Sequence, residues 1–148
     1  MKRFSKLIRL NRYLKDFSLP EDYGIVPIRA VETGDATTRL AKASGYQVVI
    51  ARPECVQEGD TDGARDFIST AFFVLYKVNS AARTQDKEDE CYDTCLEIAE
   101  AVVGILSQDI TCGDCRLIGS LDISSVNIVP VYSVFGGWSG YSLEIQFE

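Results

Sequence analysis

Residues 67–79, FISTAFFVLYKVN, constrain the fold more than any other stretch of the chain. The run is almost unbroken in apolar character and rich in aromatic residues. It reads as a strand covered on both faces along part of its length. A long helix follows over residues 84–107, where Cys91, Cys95, Ile98, Ala99, Val102 and Leu106 fall on one stripe. Thr84 or Asp86 can cap it, and acids crowd its first turns, where the helix dipole favours them. Two further strands, 126–135 and 141–147, are joined by Gly136-Gly137-Trp138-Ser139-Gly140, which reads as a tight hairpin loop. Pro130 places its strand at an edge or a bulge.

The first half is less regular. Residues 2–17 have Phe4, Leu7, Ile8, Leu14 and Phe17 at helical spacing, and Ser18-Leu19-Pro20 ends that helix. Residues 25–32 look extended, with Pro27 confining them to an edge or an irregular position. Residues 33–45 are a loop or a short helix. Residues 46–52 form a strand, residues 54–66 an acidic loop, and residues 117–123 a possible short strand. These pieces predict one α+β domain over residues 1–148. Its antiparallel or mixed sheet has about four to five strands, with an N-terminal helix and one long helix packed on it. The parts are a basic helix (1–17), strands within 46–80, the long helix (84–107) and a C-terminal hairpin (126–147).

Charge is unevenly placed. The net charge is −7, yet Lys2, Arg3, Lys6, Arg9, Arg12 and Lys15 occur in the first fifteen residues without an acid. A basic helix of this kind either meets an acidic partner or is a solvated face. No apolar run approaches the roughly 20 residues that cross a bilayer, and no secretory leader is recognisable. The expected location is a cytoplasm, with no membrane partner, and the five cysteines are expected to be reduced thiols.

The chemistry available is narrow. There is no histidine, which removes Ser-His-Asp and Cys-His catalysis and most catalytic zinc sites. Neither GxxxxGK[ST] nor GxGxxG occurs. Cys112-Gly-Asp-Cys115 is a CxxC on a glycine turn, so Cys112 and Cys115 are candidate metal or redox ligands. A four-cysteine site with Cys91 and Cys95 is disfavoured by distance. Cys95 lies roughly 18 Å before the expected helix end at 1.5 Å per residue, and both residues sit on the buried stripe. No cofactor is expected. Trp138, at a glycine-rich hairpin tip, either anchors a partner or folds back on the neighbouring strand. The acidic loop at 58–66 lacks the ligand pattern of a calcium site.

From residue 46 onward the order of elements resembles the tail-terminator or tail-completion proteins of long-tailed bacteriophages and related contractile particles. The matching pieces are FISTAFFVLYKVN, TQDKEDECYDTCLEIAEAVVGILSQ and VNIVPVYSVFGGWSGYSLEIQF, the last ending in Tyr-x-Leu-x-Ile-x-Phe from Tyr141 to Phe147. The resemblance covers about two-thirds of the chain; the CGDC loop has no counterpart in it. It implies a non-enzymatic virion component, assembled in the host cytoplasm. Such a protein forms a ring, commonly a hexamer, between the tail tube and the head-side connector proteins. Nucleic acid would be met at most in passage through the ring lumen. Interface candidates are then Trp138, the basic-helix residues Arg3, Arg9 and Arg12, and Asp60 and Asp62 of the acidic loop. The alternatives are another head-tail connector protein, a cytoplasmic metal- or thiol-dependent binding module using the CGDC loop, and a carboxylate-based enzyme.

Overall fold

The computed structural model describes residues 2–58, 65–77, 84–111 and 123–147. Helix α1 spans Lys2–Lys15, and a short 3-10 turn follows at Glu21–Tyr23. Strand β1 is Ile28–Ala30, helix α2 Thr33–Leu40, β2 Gln47–Ala51, β3 Glu54–Glu58 and β4 Arg65–Tyr76. Helix α3 runs Gln85–Thr111, and β5 (Ile123–Val134) and β6 (Trp138–Phe147) complete the chain. The fold is α+β, as expected, with six strands rather than four or five.

The sheet order is β1-β2-β4-β6-β5, with β3 alongside the first half of β4. β1 runs parallel to β2, and the other pairs are antiparallel. Central β4 pairs with β2 through residues 72–75 and with β3 through residues 65–69, so β2 and β3 follow one another along the same side of it. β3 corrects the sequence reading, which made all of 54–66 a loop. Its acids and short length hid a strand that pairs Glu54 with Ser69 and Cys55 with Ile68.

Alternation along β4 and β6 separates two cores. Ile68, Phe72 and Val74 of β4, with Leu143, Ile145 and Phe147 of β6, face α1 and α3. Leu10, Leu14 and Phe17 from the first helix region meet them there, and the Phe17 and Phe72 rings touch edge-on at 5.2 Å. Each such fully buried Leu, Ile or Phe stabilises the fold by roughly 1.5–3 kcal/mol. Ile8, expected on the buried stripe of α1, is instead 50% exposed; Leu10 and Tyr13 take the core positions. α3 buries Cys95, Ile98, Ala99, Val102 and Leu106, the stripe read from the sequence. Thr84 is its cap: the Lys87 N–H donates to Thr84 Oγ1 at 3.2 Å. The helix continues past the expected residue 107 to Thr111.

On the opposite face a smaller core gathers Ala30, Ala36, Leu40, Val49, Leu75 and Trp138 under α2. This short helix holds its own start. Asp35 accepts the Val31 N–H and the Arg39 Nε–H, each at 2.9 Å. The backbone donor, followed by the Arg39 guanidinium, keeps the Asp35 carboxyl below the usual carboxylate range even against some desolvation.

Candidate assembly interface

The hairpin tip differs from the sequence reading. The turn is Phe135-Gly136-Gly137, and Trp138 pairs with Val134 as the first residue of β6. Gly136 and Gly137 adopt φ of 88° and 104°, conformations that glycine enters without strain. The turn folds back over the sheet, so that Phe135 meets Phe73 edge-on at 5.0 Å. Trp138 is 1% exposed and lies among Leu75, Val49, Ala36 and Leu40. This is a correction. Trp138 is a core residue of the folded chain and offers no surface to a partner, because α2 closes over the tip. The paired Ala36 and Leu40, one helical turn apart, were the signal for that cover.

The surface features that remain lie on the two edges of the molecule. β5 is an edge strand of 12 residues, and among the described residues nothing pairs with its outer side. Ile128, Val129 and Tyr132 on it are 41%, 42% and 61% exposed. Pro130 sits in its middle, as an edge position allows. The register shifts between Val131 and Val134, where Ser133 and Phe135 take left-handed φ of 51°. Tyr92 Oη of α3 donates to the Val131 carbonyl at 2.9 Å and fixes this bend to the helix. Tyr92 also stacks edge-on with Tyr76 and Tyr141, at 5.6 and 5.8 Å. Long, apolar, unpaired edges of this kind template pairing with another chain.

On the other edge lie β1 and β3, with α1 above them. An Arg29 side-chain N–H of β1 donates to Asn11 Oδ1 of α1. Burial and the nearby Arg52 lower the Arg29 pKa, while Asp16 opposes them. Arg9 and Arg12 project from α1 into solvent, and Arg3 lies in its first turn. Asp60, Asp62, Cys112 and Cys115 lie outside the described residues, as does nearly all of the strand expected at 117–123.

Cys91 and Cys95 are core groups of α3. Burial, with a smaller contribution from neighbouring Cys91, pushes the Cys95 thiol up to about 12, so it stays neutral and is a poor nucleophile or metal ligand at ordinary pH. Among the described residues no group of three or more Cys, Asp or Glu is placed to hold a metal ion. Among them, too, no helix is long and apolar enough to cross a membrane.

One open cleft, of about 470 Å³, lies on the part of the sheet that α2 leaves bare. Arg52, Glu54, Ser69, Asn127, Glu144 and Gln146 line it. Ser69 Oγ donates to Glu54 Oε1 at 3.5 Å, and Ser125 Oγ to Gln146 Oε1 at 3.4 Å. Glu54 and Glu144 stand on β3 and β6 with β4 between them. Two interstrand spacings separate their backbones by about 10 Å. The cleft is a trough lined largely by polar and charged side chains. No protein-family model matches the chain, and no curated protein matches it in sequence.

Proposed function

We propose that this chain is a non-enzymatic structural protein that assembles with copies of itself into a ring. The position proposed is the tail tube or neck of a long-tailed phage particle, of the tail-terminator kind. The observation that carries the reading is β5: an outer strand of 12 residues with exposed Ile128, Val129 and Tyr132. A monomer leaves that edge open to unwanted pairing, whereas a ring covers it in every copy. The expected partners are the neighbouring copies, the tail tube and the head-side connector proteins; a neighbouring connector ring is the other position the same architecture serves. The mixed α+β fold with α3 and the closing hairpin agrees with the resemblance seen in the sequence.

The test is particle mass and shape. The purified protein is expected to give a closed oligomer by sedimentation velocity and a ring by negative-stain microscopy. Val129→Lys, which puts a charge on the exposed edge, is expected to shift the population toward monomer by at least about tenfold with an unchanged far-UV circular dichroism spectrum. A wild-type protein that stays monomeric, alone and when mixed with tail tubes, would sink the reading.

A further inference from the structure

Two helices lie on the same face of the sheet and carry outward rows of opposite charge. On α3, Asp86, Glu90, Asp93, Glu97 and Glu100 recur at spacings of four and three, so they form one row. All five are exposed, and the row lies diametrically opposite the buried Cys95, Ile98, Ala99 and Val102. On α1, Arg9, Arg12 and Lys15 are exposed around half-exposed Ile8, and the same helix carries Lys2, Arg3 and Lys6 in its first turns. The acidic row is about 21 Å long at 1.5 Å per residue, and α1 is of nearly the same length. Among the described side chains, Arg9, Arg12, Lys15 and the five acids of α3 form no ion pair with one another.

The fold keeps the rows of one chain apart. α1 is bound to the far end of α3, where Tyr13 Oη donates to Asp109. Asp109 lies beyond Glu100 by about 13 Å along the helix. α1 also sits at the β1 and β3 edge, through Arg29 and Asn11. α3 packs over β4 and β6 and reaches β5 through Tyr92 and Val131. α1 therefore lies above the β1 and β3 side of the sheet, while α3 covers its middle strands, and the acidic row points outward from that helix, away from the sheet.

We propose that α1 of one copy lies along the acidic row of α3 in the next. The proposal rests on the ring reading and names the surfaces that make the ring. Two different surfaces that recognise each other give a heterologous contact, which repeats around an axis when its rotation closes. Nucleic acid fits α1 less well as a partner. The chain carries a net charge of −7, and the acids of α3 share the helical face with α1.

Three variants test this by sedimentation velocity at low and high salt, with far-UV circular dichroism and melting curves to verify folding. The first carries Arg9→Glu and Arg12→Glu, the second Asp93→Lys and Glu97→Lys, and the third all four changes. The first two are each expected to lose assembly by more than about tenfold. The third is expected to regain it, and an equal mixture of the first two is expected to assemble, because unlike rows then face each other at every contact. Wild-type assembly is expected to weaken as the screening length falls from about 10 Å at 0.1 M salt to about 3 Å at 1 M. If the wild type assembles and the first two variants assemble equally well, the inference fails while the ring reading stands. If the wild type never assembles, both fail. Retention of duplex DNA that the first variant loses, with assembly unchanged, would overturn the inference in favour of nucleic acid.

Discussion

Gly140 of β6 has no room for a side chain: a Cβ there would lie 1.9 Å from the Val74 carbonyl oxygen of β4. The contact is with backbone on the central strand, which cannot step aside without breaking its own pairing. Gly140→Ala is expected to destabilise the protein by about 3 kcal/mol, read from urea denaturation. A loss under about 1 kcal/mol would mean that the two strands part easily at this point. Cys95 gives a prediction in pH. Its thiol titrates at about 12 in the folded protein, above its ordinary value of 9.0. Between those values the folded chain holds a proton that the unfolded chain releases, so stability falls as pH rises. Wild type is therefore expected to lose more stability between pH 8 and 10 than Cys95→Ala, in parallel denaturation series. An equal loss in both would show that Cys95 is not the titrating group. Such burial was legible in the sequence for Cys95, because helical spacing put it on the stripe with Ile98 and Val102. It was not legible for Trp138, whose glycine neighbours describe a turn and say nothing of the helix that covers it.

Elements long enough to show their period were read correctly. β4 and α3 each repeat their pattern several times, and the structure differs from the reading by a few residues at their ends. β3 was missed because five residues with an acid at each end resemble a loop until their pairing to β4 is known. The hairpin was placed but its turn was shifted, since Gly140 marks close strand packing and lies outside the turn. α3 also allows a test of helix propensity alone. Gly104 is exposed within it and has nothing within 4 Å of an added Cβ. Gly104→Ala is expected to stabilise the protein by about 0.5–1 kcal/mol in thermal unfolding, with no change in assembly. Destabilisation instead would reveal a contact at that position in the assembled state or a distorted helix.

For the molecule as a whole, the charge imbalance visible in the first fifteen residues turned out to be spatial as well as sequential. The fold puts α1 above the β1 and β3 side of the sheet and the acidic row on the outside of the helix that covers β4 and β6, a separation that composition alone could not show. Of the residues expected at an interface, Arg9 and Arg12 are exposed on α1, whereas Trp138 is enclosed. The strand order has a kinetic corollary. β4 is the centre of the sheet, and one of its two sides is completed by β6, which follows it in the chain by way of the whole of α3 and β5. The β5–β6 hairpin is local and closes in microseconds, while its docking on β4 must first close a long loop. The edge that a neighbour would use is thus anchored only after β6 has docked. A partly folded chain lacks a firm β5 surface, so in the proposed assembly folding would come before pairing of copies.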